Sequence, residues 1–336
     1  MKFRYEFDIK KLPEPVTHQH TLLLIGSCFT ENIAEKLKKY KFSIRENPNG
    51  ILFNPVSVAE AITGYIENTR LDAEDLFYLN EGWHSWKHHS RYSGLTVEEA
   101  LSKINASTQA AHRFLQGADY VMITLGSAWI YVLTEKAVNA RAGAVAANNH
   151  KAPADWFYRR LMTVDEVLKS LDNLIHRLFL FNSKLKIIFT ISPVRHLREG
   201  VIENNRSKAV LIQAVHHLVD KFEKLYYFPA YELVIDDLRD YRFFAEDLVH
   251  PNYVATQYVW EKFVKACMSE STKKLMEQIH SVNLAFQHKP FNPGSAQHLA
   301  FLRSFCEKTR SLQEQYPYLK FDDELSYFAS KAATNI

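Results

Sequence analysis

Two short stretches hold residues able to do nucleophilic chemistry. Gly26-Ser27-Cys28-Phe29 sets a hydroxyl and a thiol side by side, and Asp247-Leu248-Val249-His250 sets a carboxylate three residues before an imidazole. In a tight turn, that spacing lets the carboxylate hold one ring nitrogen. The other nitrogen then serves as general base and later as general acid. Spacing alone is weak, because the chain has 15 His and 38 acidic residues and such pairs also arise as plain surface pairs. Ser27 and Cys28 gain meaning from what flanks them, an apolar run before and a helical pattern after. At a helix N-terminus, free backbone N–H groups and the helix dipole favour an anion. A cysteine there is expected to have a lowered thiol pKa, and the same N–H groups can hold an oxyanion. The bland alternative is a buried core cysteine beside an ordinary N-cap serine.

The elements that must position these residues are legible as alternating apolar runs and helical periods. Thr21 to Ile25 reads as a strand buried on both faces, ended by Gly26, with a helix from about Phe29 to Tyr40. Asn47-Pro48-Asn49-Gly50 is a turn cluster. Helical patterns cover Val56 to Ile66 and Ala100 to Leu115. Tyr120 to Leu125 is a second buried strand, ending at Gly126. Residues Ala137 to Pro153 read as a long loop. Thr163-Val164-Asp165-Glu166 matches a capping box that opens a helix through Leu178. Lys186 to Ile191 is a strand closed by Ser192-Pro193. A helix is expected near Arg206 to Phe222, a strand over Tyr231 to Asp236, and a helix over Tyr253 to Cys267. Such alternation predicts an α/β fold with a mostly parallel sheet. Ligands then bind outside the carboxyl ends of the strands, where Gly26, Gly126, Ser192 and Asp236 are expected.

Ile25-Gly26-Ser27-Cys28-Phe29-Thr30-Glu31-Asn32 resembles the first block of SGNH (GDSL-type) hydrolases. More closely it resembles the motif of the GSCFA-domain family, with Thr30 in place of the final Ala. Asn47-Pro48-Asn49-Gly50, Asn148 to Lys151, Ser192 to His196, Glu203 to Lys208, Asp240 to Phe243 and the Asp-x-x-His stretch resemble the same family, so the similarity spans roughly residues 20 to 255. The resemblance implies a three-layer α/β/α, flavodoxin-like SGNH fold over residues 1–285, with 286–336 as a helical C-terminal extension. It implies a hydrolase or acyltransferase acting on ester or thioester bonds, with His250 as base and Asp247 orienting it. Without gaps, Cys28 falls on the catalytic serine of the superfamily and Ser27 on the aspartate of Gly-Asp-Ser. A one-residue shift would make Ser27 the nucleophile. For the oxyanion the resemblance implies the N–H groups of Cys28 and Gly50. The third donor, an asparagine in SGNH enzymes, has no counterpart because Ala128 occupies its position. Asn149 or Asn49 is the candidate replacement, each with the alternative of merely stabilising a turn.

Trp83 to Ser90 is aromatic and histidine-rich. His84 and His88, at i and i+4, would share a metal if they lay on a helix, but no nearby Cys or Asp completes a ligand set. A polar loop facing substrate, including His89, or a surface loop without a role, are the other readings. His150, Arg195 and His196 complete the candidate substrate contacts. Arg195, at a strand end, suits an anionic group of a substrate or a structural salt bridge.

The totals bound the rest. Of 336 residues, 41 are basic and 38 acidic, a balance that points away from nucleic acid. Three dispersed cysteines show no disulfide framework or zinc spacing. No apolar run reaches the ~18 residues of a membrane span, and the charged start lacks a signal-peptide core. No nucleotide-binding motif is present. The expectation is a cytoplasmic enzyme without cofactor or metal, acting on a small-molecule or glycan acyl ester. The alternative is a non-catalytic protein that binds a glycan or acylated ligand on the same scaffold.

Overall fold

The computed structural model describes residues 5–333. In chain order its strands and helices are β1 (Thr21–Gly26), α1 (Cys28–Lys39), β2 (Ser43–Glu46), α2 (Pro55–Glu67), β3 (Phe77–Leu79), β4 (Gly82–His84), α3 (Val97–Gly117), β5 (Tyr120–Leu125), β6 (Trp129–Leu133) and β7 (Val145–Ala146). There follow β8 (Phe157–Leu161), α4 (Val164–Phe181), β9 (Lys186–Ile191), α5 (Val201–Lys221), β10 (Leu225–Tyr227), α6 (Ala230–Glu232), α7 (Tyr253–Cys267), α8 (Glu270–Gln287), α9 (Ala296–Gln315) and α10 (Asp322–Ala333).

Five strands form a parallel sheet in the order β2-β1-β5-β9-β10. Counted along the chain this is 2-1-3-4-5, the flavodoxin-like order. Its direction reverses between β1 and β5, which opens a crevice beyond their carboxyl ends. The continuous apolar runs exist because both faces are covered. On β1, Leu23 and Ile25 pack with side chains of α2, α3, α4 and α5, while Leu22 and Leu24 pack with those of α1 and α7. On β5, Val121, Ile123 and Leu125 join the first group, and Tyr120 and Met122 the second. Helices thus flank the sheet on both sides, as expected.

A second, antiparallel sheet of β7, β6 and β8 follows directly after Gly126. β3 and β4 form a hairpin whose turn residues Asn80 and Glu81 both have positive φ. The Thr163–Glu166 capping box forms as expected. Two expectations fail. Tyr231 to Asp236 is not a strand: α6 runs into a π-helical turn over Leu233–Leu238. Its buried residues Ala230, Leu233, Val234 and Leu238 follow a helical spacing, and the edge strand is the shorter β10. The helix expected from Arg206 begins earlier, at Val201.

Beyond the sheet, α8 carries two sets of contacts. Met276 packs with α7, whereas Leu275, Ile279 and Val282 form a separate core with Leu302, Leu312 and Phe328 of α9 and α10. Asn283 donates to the Lys39 carbonyl, and Lys41 pairs with Glu324 at 2.6 Å. The C-terminal helices are thereby tied to the end of α1. No described helix is long and apolar enough to cross a membrane.

Candidate active site

β1 ends at Gly26, whose φ of +140° lies where side chains are strained. The chain needs that conformation because the β5 backbone passes beside it. A Cβ on Gly26 would lie 2.1 Å from the Thr124 carbonyl oxygen. Gly26→Ala is therefore expected to cost about 3 kcal/mol or more, read as a lower denaturant midpoint.

The turn hands the chain to α1 with Ser27 at the N-cap and Cys28 as the first helical residue. Ser27 is fully buried. Its hydroxyl makes neither a cap bond nor any other hydrogen bond. Cys28 is only half-buried. The helix N-terminus acts on it as anticipated, since the N–H groups of Phe29 and Cys28 favour the thiolate. The expected lowered thiol pKa is nonetheless overturned. Burial, followed by the nearby Glu31 carboxylate, pushes the Cys28 thiol up and outweighs the N–H groups and the Lys208 charge.

The Asp-x-x-His stretch has the anticipated local geometry. Asp247 Oδ2 lies 2.6 Å from His250 Nδ1, and Asp247 Oδ1 accepts from the N–H groups of Val249 and His250 at 2.9 and 3.0 Å. Those bonds, led by the His250 backbone N–H, hold the Asp247 carboxyl down at about 2. The carboxylate thus stays ionised and fixes the ring orientation. This loop is attached to the end of β9, because the Arg195 N–H and guanidinium donate to the Val249 and Leu248 carbonyls, both at 3.2 Å. Arg195 stacks over Phe244 at 4.1 Å and over Tyr241 at 5.0 Å. It braces the histidine loop by stacking and carbonyl bonds.

His196 comes next to the nucleophile turn. A point at the Cβ position of Gly126 lies 3.0 Å from His196 Nε2 and 3.3 Å from Ser27 Cβ. Burial, helped by the charges of Lys208 and His250, holds the His196 imidazole at about 3, and its buried Nε2 has no partner. His196, Arg195, Asn149, Trp129 and Tyr131 line a cavity of about 360 Å³. Cys28 and Ser27 thus follow the carboxyl end of β1, with His196 beside Ser27 at Gly126, and Arg195 ties the Asp247–His250 loop to the end of β9.

Other anticipated site residues are committed elsewhere. The Gly50 N–H donates to the Asn47 carbonyl at 2.7 Å, so it is not available to an oxyanion in this arrangement. Gly50 itself, at φ +80°, is required by the close approach of His89, whose Cβ lies 2.2 Å from where a Gly50 Cβ would stand. His89 packs there and accepts from the Arg91 N–H. Asn49 donates to the Lys87 carbonyl and accepts from the Tyr65 hydroxyl, holding two loops together. Asn149 stays at the cavity, its Oδ1 accepting from the Lys151 N–H. The two ring nitrogens of His150 are engaged with Ser90 Oγ and the Ser85 carbonyl, which leaves neither for a substrate. His84 lies on a strand and bonds to Ser93 and Leu79, while His88 lies buried in a turn bonded to Ser85. They share no helix face. Among the described residues no group of three or more His, Cys, Asp or Glu side chains is placed to hold a metal.

The buried histidines give the fold an acid sensitivity. Burial holds His18 and His150 at about 4 and His88 at about 3. In the unfolded chain each takes a proton near pH 6.5. Stability is therefore complete above that pH and is lost as pH falls toward the folded values, by about 1 kcal/mol for each histidine near pH 5.5. Urea unfolding at about pH 7.5 and about pH 5.5 reads this as a drop in midpoint.

Three residues of α5, within the Glu203 to Lys208 stretch to which the sequence assigns no role, bond to the site end of the sheet. Asn204 accepts from the His196 N–H at 2.8 Å, Ser207 accepts from the Ala128 N–H at 2.7 Å, and Lys208 donates to the carbonyls of Gly126 and Ser192. All three are buried.

The model of the GSCFA family matches residues 21–263. The chain belongs to the GSCFA family. A second family model, that of the GSCFA domain protein C-terminal domain, matches residues 279–334, close to the span of α8 to α10. No curated protein matches the chain significantly. Among solved structures, a carbohydrate esterase family 3 protein from Talaromyces cellulolyticus is similar at 9% identity, covering 78% of this chain and 99% of its own, with a TM-score of 0.35. An acetyl xylan esterase from the rumen bacterium Butyrivibrio proteoclasticus is similar at 10% identity, covering 75% of this chain and 64% of its own, with a TM-score of 0.36. Likenesses this distant do not transfer an activity.

Proposed function

We propose that this GSCFA protein is an SGNH-type acyl hydrolase or acyltransferase, acting on an ester or thioester of a small molecule or glycan. Cys28 is the nucleophile, His250 the general base and Asp247 the residue that orients it. The observation that carries the reading is the Asp247–His250 pair, with a 2.6 Å bond to Nδ1 and a carboxylate fixed by two backbone N–H groups, on a loop tied to the site end of the sheet. Burial favours Cys28 over Ser27, because a hydroxyl with no exposure cannot meet an acyl carbonyl.

The reaction follows from these roles. Nε2 of His250 takes the Cys28 proton as the sulfur attacks the acyl carbonyl, which is needed because the thiol is not ionised at rest. The oxyanion is held by the Cys28 N–H at the start of α1. His250 then gives the proton to the leaving oxygen or sulfur, leaving a thioester on Cys28. Water, deprotonated by His250, releases the acid and restores the thiol. A hydroxyl acceptor in place of water makes the same site a transferase. The 360 Å³ cavity lined by Trp129, Tyr131 and His196 would take the non-reacting part of a substrate. The test is turnover of a panel of acyl esters and thioesters. At least one should be cleaved by the wild type and none by Cys28→Ala; equal rates in the two would end the reading.

A second reading is favoured by one observation: the oxyanion donors are sparse. Gly50 N–H is bonded to Asn47, and Ala128 stands where SGNH enzymes carry asparagine. A protein binding a glycan or acylated ligand without turnover would fit that. Ligand binding with no cleavage across the panel selects it.

A further inference from the structure

Beside the cavity lined by Trp129, Tyr131 and His196 lies another, of about 260 Å³. Ala147 lines both. Asn54 lines the first and donates to Ser57 Oγ, at 3.0 Å, in the wall of the other. The two cavities are therefore neighbours, parted by the start of α2 and the residues after β7.

The wall of this cavity is polar. On α2, Ser57, Glu60, Ala61 and Gly64 recur at i, i+3, i+4 and i+7 and so share one helical face. Thr108 of α3, with Lys87 and His88 from the loop after β4, adds to it. Ser57, His88 and Thr108 are only 3%, 3% and 5% exposed. Among the described residues, neither the Thr108 hydroxyl nor the Glu60 carboxylate has a hydrogen-bond partner. Buried polar groups are rarely left so unless something else meets them.

Gly64 points the same way. It lies inside α2, with ordinary helical backbone, where glycine is less stable than alanine. Packing does not call for it, because a Cβ there would meet nothing nearer than Thr69 Oγ1 at 3.9 Å. The missing side chain leaves open space in the cavity wall, where a ligand can approach the helix closely.

The charges select the kind of ligand. Burial pushes the Glu60 carboxyl up, and Lys87 opposes that shift. Glu67, also in the wall, is paired with Arg177 at 2.6 Å. One carboxylate with one amine leaves no surplus for an ion: an anion meets Glu60 and a cation meets Lys87. An apolar ligand would leave the buried hydroxyls unpaired. Groups that both donate and accept suit such a wall, and hydroxyls are those groups.

We propose that this cavity is a sugar subsite, taking one neutral sugar ring whose hydroxyls bond to Glu60, Thr108 and Lys87 and which packs against Gly64. A volume somewhat below the roughly 300–1,000 Å³ of drug-sized sites suits a single ring. Because the two cavities adjoin, the substrate is then a glycan, with its acylated unit in the first cavity and a neighbouring unit in this one. That last step rests on the acyl-transfer reading, whereas the subsite does not.

The probes are free glucose, galactose, mannose and xylose at millimolar concentration, followed by saturation-transfer NMR on the full chain. At least one should bind the wild type. Gly64→Leu fills the space beside α2 and should abolish that binding, with the fold kept because leucine is the better helix former. Thr108→Val removes one hydrogen bond at constant shape and should weaken binding about tenfold. Binding of none of the sugars, or equal binding by wild type and Gly64→Leu, overturns the proposal. Should Gly64→Leu not fold, Thr108→Val carries the test, and an unchanged affinity there overturns it. If the sugars bind as stated and no acyl substrate is ever cleaved, the acyl-transfer reading fails and the subsite stands. If acyl substrates are cleaved and no sugar binds, the subsite fails alone.

Discussion

His250→Ala should lower turnover of any cleaved acyl substrate by about 10³-fold or more, with the fold unchanged. The imidazole is half-exposed and its contacts lie within its own loop, so little packing is lost. Its chemical part is not replaceable, because burial keeps Cys28 a thiol and something must take the proton as the sulfur attacks. Asp247→Asn should reduce turnover less than His250→Ala and for a different reason. The amide oxygen can still accept both backbone N–H groups, but the side chain no longer stabilises the imidazolium and no longer dictates which ring nitrogen carries the hydrogen. Steady-state kinetics on the substrate found in the panel, with circular dichroism to check folding, reads both. Turnover within tenfold of wild type in His250→Ala would remove histidine-based proton transfer from the account.

Cys28→Ala should abolish turnover down to the rate of the uncatalysed reaction. The sulfur is the bond-forming atom, and Ser27 beside it is fully buried with its hydroxyl unpartnered. Cys28→Ser is the sharper variant. A serine hydroxyl is a far weaker acid than a thiol, so the same base has more work to do, and turnover should fall well below wild type while ligand affinity is kept. If Cys28→Ala retained turnover and Ser27→Ala lost it, the register of the motif would be shifted by one residue. If both retained it, the reactive group would lie elsewhere.

Much of the fold is legible because the sheet is buried on both faces. Runs such as Leu22 to Ile25 and Tyr120 to Leu125 leave few other readings. The local part of the site is legible for a related reason: the Asp247–His250 bond closes within four residues, so sequence spacing describes it. Long-range commitments are not. Nothing in the sequence near Gly50 says that its N–H will turn back to Asn47, or that His89 will pack against it. His150 and Asn49 are spent on joining loops that are distant in sequence. The thiol shift at Cys28 is likewise tertiary, since burial outweighs the helix N-terminus that sequence does show. One missed feature left a readable trace. Asn204, Ser207 and Lys208 continue the buried stripe of Leu211, Val215 and Leu218 at helical spacing. Polar residues on the core face of a helix mark bonds to something at the site end of the sheet. The segment Tyr231 to Asp236 misleads because its apolar residues suit either a short strand or a helical turn.

The most direct test of a cysteine acyl-enzyme is the mass of the intact protein after brief exposure to an activated acyl ester, followed by peptide mapping. The account predicts one acyl group, on Cys28, absent in Cys28→Ala and formed much more slowly in His250→Ala. Acyl groups on Ser27 instead, or an unmodified Cys28 under conditions where substrate is being cleaved, would contradict it.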